Sequence, residues 1–177
     1  DENGYMVIGW KKVKNTWYYF YGSGIMASNA WVGDYYLEAS GAMATNKWIG
    51  NYYVGSSGAY VRNGWVLNNG KYYYMNGSGK MIKCSWIGSY YLSSNGVMAT
   101  NSWVGNYWCG SDGQYVKSSW VDNNQYYVNN KGLYVAGSWQ KDSVGWYYRV
   151  GNDYAKNITL NINGLAYKFD SRGYWGS

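Results

Sequence analysis

The residues of this chain whose types and spacing could do chemistry are its rings: 12 Trp and 24 Tyr, against 2 Phe and no His. A ring face attracts cations and apolar groups, and the indole N–H or phenol O–H adds a polar handle at the edge. The chemistry on offer is therefore binding. Bond-making chemistry has little to work with, because without His the usual general base and the commonest metal ligand are missing. Neither Cys84 nor Cys109 has an imidazole to activate it. Asp34 and Glu38 form the only close acidic pair outside the amino terminus, and on a hairpin they would fall at a turn and on the return strand, facing solvent. Paired carboxylates for glycoside hydrolysis would need a cleft instead. No metal-ligand spacing occurs, so the chain reads as non-catalytic, with no cofactor and no metal.

The rings are spaced by a repeat. The stretch from Trp31 to Val66 returns from Trp86 to Val121, an offset of 55 residues, and within each copy Trp31, Trp48 and Trp65, then Trp86, Trp103 and Trp120, stand 17 apart. Such a short fixed period marks an array whose single unit cannot bury its own apolar face and must stack on the next. The units are expected to start near Trp10, Trp31, Trp48, Trp65, Trp86, Trp103, Trp120 and Trp139. A partial repeat over 1–8 precedes them, and a divergent terminal repeat over 160–177 follows. Asp1 to Met6 reads as the tail of a repeat already under way, so the chain is expected to be a piece of something longer.

Each unit is expected to be a hairpin followed by a glycine-marked connection. In the Trp10 unit one strand runs from Trp10 to Val13, a polar turn follows, and the return strand runs from Trp17 to Tyr21. In the shorter units Gly33-Asp34, Gly50-Asn51, Gly88-Ser89 and Gly105-Asn106 join the strands, and Gly first in a two-residue loop suits a type II′ turn. After each hairpin comes a glycine: Gly24, Gly41, Gly58, Gly79, Gly96, Gly113, Gly132 or Gly173. Two residues beyond it stands Met26, Met43, Tyr60, Met81, Met98, Tyr115, Tyr134 or Trp175. Positive φ at the glycine would turn the chain, and the large residue would cover the hairpin edge. Helical periodicity is missing throughout. The fold class is all-β, a solenoid of stacked β-hairpin repeats.

The net charge of +6 is scattered as single Lys and Arg residues. That favours solubility and gives no nucleic-acid groove. No stretch is apolar for the ~18 residues that a membrane helix needs, so no membrane insertion is encoded. Cys109 falls where other copies have Leu37 or Val54 and reads as a small core residue. Whether it is bridged to Cys84 is left open.

The series Gly9-Trp10, then Trp17-Tyr18-Tyr19-Phe20, then Gly24 and Met26 resembles the cell-wall-binding repeat of Gram-positive surface proteins, the family that includes choline-binding modules and glucan-binding repeats. The resemblance covers essentially the whole chain. It implies a secreted module at the cell wall or cell surface, usually appended to a catalytic or adhesive domain. In choline-binding members, a cage for the ligand is built from the Trp of the first strand, the Trp opening the second, and the first Tyr of the next hairpin, with Met nearby. Carried onto this sequence, the complete match is Trp10, Trp17 and Tyr35 with Met26. A second set is Trp65, Tyr72 and Tyr90 with Met81, and a third is Trp139, Trp146 and Tyr167. Asp34, Asn51, Ser89, Asn106 and Gln125 stand where the other hairpins would need the second aromatic wall, so no such site is expected there.

A quaternary ammonium has no hydrogen to donate, and ring faces suit it because they meet both its charge and its methyl groups. At about 0.5 to 2 kcal/mol per ring, three rings suffice for a site of roughly millimolar affinity. Several sites along one polymer would gain roughly 10²- to 10⁴-fold in avidity. The expected partner is choline or a similar group on wall teichoic acid. The alternatives are a glucan or wall polysaccharide, or a spacer or adhesive stalk with no small ligand. A homodimer through the terminal hairpins is left open. The same aromatics are also needed to cement the stack, since a lone hairpin is only marginally stable.

Overall fold

The structure is a computed structural model describing residues 4–176. The first three residues of the partial repeat over 1–8, and Ser177 of the terminal repeat, lie outside the described residues. The chain divides into two compact units, one running to Lys83 and the other from Cys84. No helix occurs among the described residues. Both units are successions of antiparallel hairpins, the all-β architecture that glycine-punctuated aromatic strands call for.

In the first unit Gly9–Val13 pairs with Thr16–Phe20, Ala30–Val32 with Tyr35–Leu37, Lys47–Ile49 with Tyr52–Val54, and Gly64–Asn68 with Lys71–Met75. In the second, Ser85–Ile87 pairs with Tyr90–Leu92, Ser102–Val104 with Tyr107–Cys109, and Ser119–Val121 with Tyr126–Val128. Gly137–Lys141 then pairs with Trp146–Val150, and Ile158–Ile162 with Leu165–Phe169.

Turn chemistry separates short hairpins from long ones. Gly33, Gly50, Gly88 and Gly105 have φ of 58, 59, 58 and 57°, and in each case the second loop residue is not left-handed, as a type II′ turn requires. Three of the long hairpins put both loop residues in the left-handed region, at Lys14-Asn15, Asn69-Gly70 and Asn163-Gly164. That is the type I′ pattern, for which Asn-Gly is the favoured pair.

Each connection then folds back. The amide of Gly24 donates to the Tyr21 carbonyl and that of Gly41 to Glu38, after which Met26 pairs with Phe20 and Met43 with Leu37. Two residues before the next Trp the backbone turns left-handed, at Asn29, Asn46 and Asn63 in the first unit and at Cys84, Asn101 and Ser118 in the second. Asn tolerates that conformation best among residues with a side chain, which explains its recurrence there.

From the second hairpin on, each return strand ends in a core side chain. Leu37, Val54 and Met75 hold these places in the first unit, and Leu92, Cys109, Val128, Val150 and Phe169 in the second, all essentially without solvent contact. The two cysteines are both free: Cys109 is buried and Cys84 exposed. Burial, with the Asp112 carboxylate beside it, pushes the Cys109 thiol up, and the thiolate is the reactive form. A maleimide applied to the native chain is therefore expected to label Cys84 alone and to reach Cys109 only in denaturant. Two adducts on the native chain, read by mass spectrometry, would contradict this packing.

Candidate functional site

The Trp10 hairpin shows how a ring slot is built. Trp10 and Tyr19 are cross-strand partners, as are Lys12 and Trp17. Because alternate residues share a face, the indoles of Trp10 and Trp17 lie side by side, 6.5 Å apart and 86° to one another. Tyr35, on the next hairpin, comes within 5.1 Å of Trp10 at 72°. These three rings open onto a cavity of about 340 Å³ that Met43 and Ser57 complete. Trp10 and Trp17 remain 36% and 40% exposed. Lys12 holds its ammonium 5.9 Å from the Trp17 ring centre, so a cation already sits within range of one wall.

The methionine lining this cavity is Met43, where the sequence reading placed Met26. The cause is a backbone bond between consecutive repeats: the amide of Met43 donates to the Trp17 carbonyl at 2.8 Å. That bond brings the residue after one connection against the opening of the return strand one hairpin earlier. Met26 instead lies over Gly41. The same register recurs in the first unit, where Tyr60 donates to Asp34 at 3.0 Å and Met81 to Asn51 at 2.9 Å. Met81 accordingly packs with Trp48 and Tyr73 around Tyr53, Val66 and Met75, a different place from the Trp65 set to which it was assigned.

Trp65 and Tyr72 repeat the first pair's geometry, 6.5 Å apart at 83°, and are 37% and 44% exposed. Tyr90, the remaining member of that set, belongs to the second compact unit.

In the second unit Trp139 and Trp146 stand 6.5 Å apart at 88°, and Tyr167 lies 4.9 Å from Trp139 at 68°. The position of Met43 is here taken by Trp175. It is the strand partner of Trp146 and lies 5.9 Å from Trp139 and 5.5 Å from Tyr167. Trp175 was passed over as a site residue, although it occupies the position two beyond Gly173 that Met43 occupies after Gly41.

The short hairpins close the same space with their own rings. Trp31, Tyr52 and Tyr60 contact one another edge to face at 5.5 to 5.6 Å. Trp86, Tyr107 and Tyr115 do so at 5.3 to 5.7 Å, and Trp103, Tyr126 and Tyr134 at 5.5 to 5.9 Å. At the first of these triads Arg62 lies over the Tyr60 ring, 4.3 Å from its centre, and ion-pairs with Asp34. The protein thus supplies its own cation where the second indole is missing.

Residues 25–60, 82–104 and 97–134, together half of the chain, match a family model described as choline-binding repeat. Residues 8–26 and 63–81 match one described as putative cell wall binding repeat. The second model covers the Trp10 and Trp65 hairpins, two of the three long hairpins that carry paired aromatic walls. Comparison with curated proteins finds no match.

Among solved structures, the modular autolysin LytC from Streptococcus pneumoniae, in complex with a synthetic peptidoglycan ligand, is similar. It shows 30% identity over 95% of this chain and 42% of its own, with a TM-score of 0.69. Choline binding protein F from the same organism shows 30% identity over 73% of this chain and 48% of its own, with a TM-score of 0.54. The chain thus spans less than half the length of either.

Proposed function

This chain belongs to the choline-binding repeat family of cell-wall-binding modules, and from that premise we propose that it is a non-catalytic anchor that holds a secreted protein to the bacterial wall through choline on teichoic acid. The observation carrying this is the Trp10, Trp17 and Tyr35 slot. It has three ring faces set steeply to one another, a thioether beside them, and an opening to solvent. A trimethylammonium group fits such a slot because every wall meets a methyl group or the charge and none demands a hydrogen bond. Trp139, Trp146 and Tyr167 with Trp175 form the second candidate of the same kind. Polysaccharide binding finds little support in the Trp10 slot, whose lining offers hydroxyls only at Ser57 and Tyr35.

The test is chromatography on a trimethylammonium resin. At a net charge of +6 the chain is repelled by a cationic matrix, so retention has to come from the ring slots. It is expected to bind at moderate salt and to elute with free choline. Flow-through would end this reading and leave the spacer or stalk in its place.

A further inference from the structure

We infer that Lys12 and Lys141 are specificity-determining residues, which make the two double-tryptophan slots prefer choline carrying a phosphate ester over free choline. This preference rests on the anchor reading above. Each lysine stands two places after the first Trp of a long hairpin, so it shares that Trp's face. Each also faces the second Trp across the ladder: Lys12 is the partner of Trp17, and Lys141 that of Trp146. The register carries the ammonium to the neighbouring indole, 5.9 Å from the Trp17 ring centre and 5.4 Å from that of Trp146. The same arrangement is thus built twice, in hairpins far apart in the chain. The Trp65 hairpin keeps the register with Leu67 opposite Tyr72, so forming a long hairpin does not itself require a charge at this place.

Both lysines lie outside the ion pairs of the described residues, which engage Lys47, Arg62 and Arg172. Asp142, next to Lys141 in the chain, accepts hydrogen bonds from the Tyr174 hydroxyl and from the amides of Val144 and Gly145 instead. The closed Trp31 triad makes the contrast. There Arg62 lies over Tyr60, but Asp34 neutralises it. The Trp10 cavity is lined by Trp10, Trp17, Tyr35, Met43 and Ser57, so none of its walls is charged. Any discrimination by charge has to come from its rim, where Lys12 stands.

An ammonium so placed acts on the two forms of the ligand in opposite senses. Free choline is a lone cation, and lodging it beside Lys12 sets two positive charges against one ring. A choline phosphodiester carries its anion at the far end of a two-carbon chain. With the methyl groups among the rings, the phosphate emerges at the rim and meets the lysine. In a solvated rim such an attraction changes affinity about two- to fivefold, and salt screens it. A lysine suits the task because its flexible stem lets a point charge follow the phosphate.

The test is tryptophan fluorescence titration of the whole chain with choline and with glycerophosphocholine, a soluble phosphodiester of choline, at low and high salt. The wild type is expected to bind the ester about two- to fivefold more tightly than choline at low salt, and equally at about 1 M salt. That salt dependence reads the charge without any substitution. The Lys12→Met, Lys141→Met double variant keeps the apolar stems and alters two exposed side chains. It is expected to lose the preference, to bind choline at least as tightly as before, and to melt at an unchanged temperature. The Lys12→Arg, Lys141→Arg variant is expected to retain the preference. A wild type without the preference overturns the inference, as does a methionine variant that keeps it or an arginine variant that lacks it. If neither ligand binds the wild type, the anchor reading falls and this preference with it; if both bind equally at low salt, the anchor stands and only the preference falls.

Discussion

Trp17→Ala is expected to weaken choline binding at the Trp10 slot by about 10- to 30-fold while leaving the melting temperature nearly unchanged. Trp17 is 40% exposed, stands 6.5 Å from Trp10, and forms a wall of the cavity. Removing it costs the slot one ring face and its apolar contact, about 1.4 to 2 kcal/mol of binding. Trp48→Ala is the contrast. Trp48 packs against the cluster of Tyr53, Val66 and Met75, touches Tyr73 at 4.9 Å, and donates its indole N–H to Asn68 at 3.3 Å. Truncating a large ring packed this way costs roughly 2 to 4 kcal/mol of stability, with no direct loss of ligand contact. Fluorescence titration with choline at a temperature where both variants are folded, beside urea melts of each, separates the two effects. Equal losses of affinity would show that the division between slot rings and cement rings is wrong.

Gly79→Ala is expected to destabilise by roughly 2 to 4 kcal/mol, and Gly70→Ala by only about 1 to 2. Both glycines are left-handed, with φ of 78° and 72°, so both variants pay the same backbone strain. They differ in surroundings. A Cβ on Gly70 meets open space, whereas one on Gly79 falls on the ring of Tyr60, which is wedged against Trp31 and Tyr52. The difference in urea midpoint between the variants measures how firmly that ring is held. Matching midpoints would mean that Tyr60 yields and the triad is loose.

Much of this was legible in the residues because the relevant contacts are local. Gly33-Asp34 names its own turn, and the glycines after each hairpin take positive φ as their spacing implies. The burial of Cys109 follows from its alignment with Leu37 and Val54. Which methionine faces the Trp10 slot was not legible. The bond from Met43 to the Trp17 carbonyl reaches from the end of one unit back into the return strand of the unit before, and no propensity reports it. Trp175 was visible in the glycine series, but its role depends on pairing with Trp146 across an intervening hairpin.

The amide that seats Met43 on Trp17 reaches past one hairpin to the one before, so the walls of a slot are written in three successive stretches of sequence. Deleting the last such stretch would blind the slot upstream of the final hairpin and leave that hairpin folded. When units are gained or lost by recombination, binding capacity therefore lags the length of the array, and the newest unit at the carboxy end contributes a wall before it contributes a slot.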